Sequence, residues 1–273
     1  MTTGVQVFPS RSKASRVRQS ARKSGTEWFL SGCLPFPSAC QSGAAKEAGM
    51  RIGIFGTGNM ADALGSQWVR AGHEVLVSGR DPAKARALAG RIGPGAYAGS
   101  WAQAAAFGEA VLLAVRDHAV PEVLEAAGAG TGALRGRTLI DCVNAVVPGR
   151  FTLATEGGPG MAGRIADAAP GAHVVKAFNL CHVDIWRMRP PAFDGTPLGV
   201  PVCGDDPAAL ARVRSLIADI GCRPVDGGGL ARAGLLEATA AFVIGAWAGG
   251  ADVRGMFPPF DPGHRPEHSP ARR

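Results

Sequence analysis

The 273-residue chain is 46% apolar and 19% charged, enough to bury one large core or two modest ones. Its net charge of +7 sits at the ends: residues 1–49 hold +5 and residues 261–273 hold +1, leaving +1 on the body. A basic tail on a near-neutral body excludes a nucleic-acid groove, and no unbroken apolar stretch is expected to reach the ~18–20 residues of a membrane helix.

Residues 1–49 are rich in Ser, Arg and Gly and lack apolar periodicity, so they read as a disordered extension. Leu30-Ser31-Gly32-Cys33 has the form of a lipoprotein cleavage box, but only Trp28-Phe29-Leu30 precede it, short of the ~7–15 apolar residues such a signal requires. Lys46-Glu47-Ala48-Gly49 can be encoded by a ribosome-binding sequence, which would make Met50 the true start. The expected divisions are a nucleotide-binding domain at 50–180, a smaller C-terminal domain at 181–258 and a disordered tail at 259–273.

The apolar run Met50–Phe55 reads as a buried strand, and Gly56-Thr57-Gly58-Asn59-Met60-Ala61-Asp62 opens the helix after it. Strand, G-x-G-x-x-A turn and helix form the first unit of a dinucleotide-binding fold. Gly56 permits the tight turn, Gly58 lets a pyrophosphate approach the backbone, and Ala61 is small enough to press the helix onto the sheet. The phosphates then meet free N–H groups and the helix dipole. The plainer alternative is a Gly-rich turn with no ligand.

The next strand, His73–Ser78, ends in Ser78-Gly79-Arg80, with Lys84 four residues beyond Arg80. An NAD enzyme usually places an acidic residue there for the ribose 2′-OH. Two cations and a hydroxyl suit a 2′-phosphate instead, so NADP is the expected cofactor; the alternative is a solvated basic face. Asp81-Pro82 has the form of an N-cap followed by a first-turn proline.

Further strands are expected at Glu109–Val115, Thr138–Cys142, His173–Phe178 and Leu198–Cys203, with helices at Gly160–Ala169, from Pro207, and from Leu230 to about Ala248. Their alternation predicts an α/β, Rossmann-type doubly wound parallel sheet with a small C-terminal helical portion. Residues 181–197 read as a movable loop. The last helix is apolar on nearly every side, so it must be buried in its own domain or against a second subunit, here expected as a homodimer. Six scattered cysteines without a C-x-x-C pair argue against zinc or a redox dithiol and for a reducing cytoplasm.

The residues that are missing narrow the chemistry. The single tyrosine, Tyr97, has Trp101 rather than Lys four residues on, and the body's two lysines are Lys84 and Lys176, the latter in a strand. His118 and His182 are the histidines nearest to a site. Simple alcohol oxidation with a general acid is poorly supported. Hydride transfer between two cofactors needs mainly ring alignment, so no catalytic side chain is expected.

The Met50–Met60 strand and turn, Ser78-Gly79-Arg80, Val174–Asn179 and Val200–Asp206 occur in that order. Over residues 50 to about 257 the chain resembles the NADPH-dependent reductases of 8-hydroxy-5-deazaflavin (coenzyme F420), especially their branch in GC-rich actinobacteria. The resemblance implies that Thr57, Gly58, Asn59 and Met60 bind the pyrophosphate, and that Arg80, Lys84 and Ser78 hold the 2′-phosphate. It also implies that Val115, Ala177 and Asn179 flank the nicotinamide, with the deazaflavin F420 stacked over it. Arg116-Asp117, where the family often has Pro-Trp, and Cys181–Trp186 depart from that pattern on the second-substrate side. The alternatives are a pyrroline-carboxylate-reductase-like reductase of a small imine or ketone, and a non-catalytic NADP-binding module.

Overall fold

The computed structural model describes residues 49–155 and 157–253. The chain divides into two units, 1–45 and 46–273, and every described residue belongs to the second. The readings made for residues 1–48 and for the tail at 259–273 lie outside the described residues.

Strands and helices alternate through β1 (Arg51–Phe55), α1 (Asn59–Ala71), β2 (Glu74–Ser78), α2 (Pro82–Ile92), β3 (Ala96–Gly99) and α3 (Trp101–Phe107). They continue through β4 (Ala110–Leu113), α4 (Val120–Ala126), β5 (Thr138–Asp141), α5 (Met161–Ala168) and β6 (His173–Lys176). After β6 come α6 (Val183–Arg187), the small hairpin β7 (Ala192–Phe193) and β8 (Thr196–Pro197), then β9 (Gly199–Gly204), α7 (Pro207–Asp219), β10 (Arg223–Asp226) and α8 (Ala233–Ala248).

Eight strands form one sheet in the order β10-β9-β6-β5-β4-β1-β2-β3. Six of its seven pairings are parallel, as the doubly wound parallel sheet expected from the sequence requires, and β9 runs antiparallel to β6. The segment expected as a smaller domain, 181–258, thus adds β9 and β10 to the same sheet.

The central strands are buried on both faces, as crossover helices require. Ile52, Ile54, Val75, Val77, Leu112 and Ile140 pack with residues of α1, α2 and α7 on one side. Phe55, Val111, Leu113 and Leu139 pack with α3, α4 and α5 on the other. Each fully buried Ile, Leu or Val contributes about 1.5–3 kcal/mol, so the two layers supply the main drive to this fold. From β1 the chain winds outward to β2 and β3, then returns to build β4, β5 and β6 on the opposite side. The switch point, and with it the crevice that such sheets offer a ligand, lies beyond the carboxyl ends of β1 and β4.

The stretch 181–197, read as a movable loop, is largely pinned. The His182 side chain accepts from the Asp184 N–H to start α6, and Trp186 is buried against Phe178, which in turn packs edge-on to Trp68. Gln67 of α1 donates to the carbonyls of Trp186 and Met188, both at 2.7 Å.

The last helix also differs from expectation. Its buried residues are Ala233, Glu237, Ala240 and Ala241, a single face, while Leu235, Phe242 and Trp247 are 57%, 61% and 62% exposed. With the 3₁₀ turn before it, Leu230–Ala248 is 19 residues long, enough by length and composition to cross a membrane, although Arg232 and Glu237 interrupt its apolar run. Glu237 roots this helix in the sheet by contacts described below.

Candidate functional site

The turn after β1 is fixed from two sides. The Gly56 N–H donates to the Ser78 carbonyl at 2.9 Å, and the Ala114 N–H donates to the Phe55 carbonyl at 2.8 Å. Gly56 has φ +126°, and a Cβ there would lie 2.2 Å from the Ala114 carbonyl oxygen. Glycine is therefore a requirement of the fold at this position.

Gly58 is different. It is the N-cap of α1 with φ −87° and ψ −172°, a conformation open to any residue, and a Cβ there would meet nothing within 4 Å. No cap side chain occupies the helix end, so the first N–H groups of α1 lack intrahelical partners and the dipole adds positive potential. Asn59 is exposed and Met60 half-buried at this end, and Ala61 is fully buried against the core, as its small size suggested.

A groove of about 230 Å³ opens here, at the switch point. Gly56, Thr57, Gly58, Gly79 and Arg80 form one wall; Ala114, Val115, Arg116 and His118 form the other; Trp101, Ala119 and Val123 close it. Two arginines and no carboxylate line it among the described residues, and neither arginine is paired with an acidic side chain. Asp81, the only acid near Arg80 in sequence, instead caps α2 by accepting from the N–H groups of Ala83 (2.8 Å) and Lys84 (3.3 Å). Lys84 is exposed in the first turn of that helix.

The structure thus gathers Gly56, Thr57, Gly58, Arg80 and Val115 around one groove, with Asn59 and Met60 at the start of α1 and Lys84 in the first turn of α2, outside the lining. Three expected site residues do not present their side chains to a ligand. The Ser78 hydroxyl is buried and donates to the Ile54 carbonyl at 2.9 Å, so it is not free for a 2′-phosphate. Ala177 is fully buried, its N–H extending the β5–β6 ladder to the Asp141 carbonyl at 3.0 Å. The Asn179 amide is 5% exposed and donates to Asn144 Oδ1 (3.0 Å) and the Leu236 carbonyl (3.1 Å), a structural clasp between β6 and α8.

Sequence reasoning missed Trp101, Arg116, Ala119 and Val123 as groove residues. A signal for the first existed: Ser100 and Gln103 form a reciprocal capping box, the mark of a helix start.

It also missed the buried ion cluster beneath the carboxyl ends of β5 and β6. Lys176 Nζ lies 2.9 Å from Asp141 Oδ2 and 3.2 Å from Glu237 Oε1, and it also donates to the Val143 carbonyl; all three side chains are fully buried. Glu237 further accepts from the N–H groups of Met161 (2.8 Å) and Ala162 (3.1 Å), capping α5. Burial pushes the Asp141 carboxyl up, against the pull of the Lys176 ammonium and the Val143 N–H. The neighbouring Cys142 thiol is pushed up to about 12, chiefly by burial and then by Asp141, so it is inert at neutral pH. Lys176 is therefore a structural counter-ion rather than a proton donor. His118 and His182 are largely exposed, beside Asp117 and Asp184.

Residues 51–145 match the family model described as NADP oxidoreductase, coenzyme F420-dependent. A crystal structure from Arthrobacter sp. FB24, provisionally described as an F420-dependent NADP-reductase, superposes with a TM-score of 0.66 at 27% identity, covering 74% of this chain and 95% of that one. A hypothetical protein from Sinorhizobium meliloti follows with a TM-score of 0.60 at 26% identity, covering 68% and 88%. An imine reductase from Streptomyces aurantiacus shares the fold at 21% identity and a TM-score of 0.55, covering 72% and 62%. Among sequence relatives, the metalloreductase STEAP3 of Rattus norvegicus is 27% identical over 198 residues, which are 72% of this chain. The chain spans 38% of the length of that relative.

Proposed function

We propose that the protein is an oxidoreductase that moves a hydride directly between NADP(H) and the deazaflavin coenzyme F420. The observation that carries the cofactor half is the groove at the switch point: an open helix N-terminus at Gly58 for the diphosphate and an unpaired Arg80, with Lys84 near, for the extra phosphate. The acceptor half is supported by the family description and by the Arthrobacter relative. When bound, the nicotinamide supplies the hydride, and the chain's own task is to hold the dinucleotide and keep its reactive ring facing the second substrate. A homodimer is part of this reading, supported by the apolar surface that α8 leaves uncovered. A cytoplasmic setting is also part of it, supported by unpaired thiols at Cys142, Cys181, Cys203 and Cys222.

The test follows nicotinamide absorbance on mixing the purified protein and NADPH with either the deazaflavin or a cyclic imine. Oxidation with the deazaflavin alone is expected. Turnover of the imine alone would replace the acceptor, and tight NADPH binding with neither turned over would make the protein a binding module. Arg80→Ala is expected to weaken NADPH by about 1.5–3 kcal/mol, the worth of a charge-assisted contact, and to leave NADH unchanged. Equal losses for both nucleotides, measured by calorimetry, would remove Arg80 from the 2′-phosphate.

A further inference from the structure

We propose that Trp101 is the adenine-reading residue of the groove, its indole stacking on the base whose ribose phosphate Arg80 holds; this rests on the NADP reading above. In the parallel β2–β3 pair, Ser78 is opposite Gly99. Arg80 and Trp101 therefore each stand two residues beyond a matched position on neighbouring strands, and both line the same groove. Adenine and the 2′-phosphate are carried by adjacent carbons of one sugar, so a phosphate on Arg80 delivers the base within a sugar's width of that position.

The apolar side chains Trp101, Ala119 and Val123 line this groove, with Arg116 and His118 beside them. A flat heteroaromatic ring gains most against such a wall when an aromatic face is presented to it. Trp101 is held for that role. Its ring meets Phe55 edge-on, with centroids 5.7 Å apart and planes at 89°, and Phe55 is fully buried at the end of β1. A tryptophan serving only the core would be sealed in, as Trp68 and Trp186 are at 0% and 1% exposure, whereas Trp101 stays half-open on the groove.

The experiment titrates adenosine 2′,5′-bisphosphate, which carries the base and the phosphate but no nicotinamide, into wild type, Trp101→Ala and Trp101→Phe. Trp101→Ala is expected to bind about tenfold more weakly. Trp101→Phe keeps an aromatic face and should bind within a few-fold of wild type, but the change in tryptophan fluorescence seen with wild type should vanish. Wild-type affinity in Trp101→Ala, or an undiminished fluorescence change in Trp101→Phe, would overturn the assignment. If wild type itself ignores the bisphosphate, the NADP reading falls and takes this inference with it.

Discussion

Gly58→Val is expected to fold and melt like the wild type and to lose NADP(H) binding by more than a hundredfold. The backbone at Gly58 already has an extended, non-glycine conformation, and an added Cβ meets no protein atom within 4 Å. A valine is thus free to form, but its methyls would stand over the open N–H groups of α1, where the proposed diphosphate would lie. Losing two charge-assisted hydrogen bonds removes roughly 3–6 kcal/mol, which is at least two decades of affinity. Gly56→Val makes the opposite case: φ +126° and a 2.2 Å collision with the Ala114 carbonyl damage the fold itself. Calorimetric titration beside thermal melting separates the two, and unchanged NADPH affinity in Gly58→Val would move the diphosphate away from this turn.

Lys176→Met is expected to lower stability at neutral pH by about 3–5 kcal/mol, because it strands the carboxylates of Asp141 and Glu237 without their counter-ion in a dry interior. Glu237→Gln should also cost stability, because its amide nitrogen would face one of the two α5 N–H groups that the carboxylate oxygens now accept from, although Lys176 keeps Asp141. The pH dependence has a definite sign. Burial already places the Asp141 carboxyl above its unfolded value, and Lys176 is the main influence lowering it. Without the lysine it rises further, so the folded variant favours the protonated acid. That favour is fully present below the unfolded carboxylate range and is lost as pH rises through the folded value. Denaturant titrations should therefore find the deficit larger at pH 8 than at pH 5. A deficit that grows on acidification would contradict the assigned counter-ion role.

The first βα unit was legible because its demands are backbone demands: Gly56 needs a positive φ and Gly58 leaves space, and only glycine announces both in a sequence. Arg80 and Lys84 were legible because spacing along a strand end and a helix turn fixes where they emerge. β3 was not, since Ala96-Tyr97-Ala98-Gly99 is a four-residue, half-exposed edge strand with almost no apolar signal. The direction of β9 was also hidden, because Gly199–Gly204 has the same apolar content whichever way it runs. Strand polarity is set by the short path through α6 and the β7–β8 hairpin, which the Gln67 amide and the Trp186 anchor organise. Ser78, Ala177 and Asn179 lie where the sequence put them along the chain, but strand pleat and clasp turn their side chains inward. The ion cluster was invisible because its three members come from β5, β6 and α8, which only the sheet order brings together.

The single charged residue of α8, Glu237, is spent indoors on Lys176 and α5, so the outer surface of the helix has no ionic means of choosing what it touches. On the helix itself dissolved salt has no charge to screen, and the nearest ionisable groups are His182, which packs on Trp247, and its neighbour Asp184. An association formed through Phe242 and Leu235 should accordingly change little from dilute buffer to molar chloride, while a phosphate contact at Arg80, as proposed, would weaken.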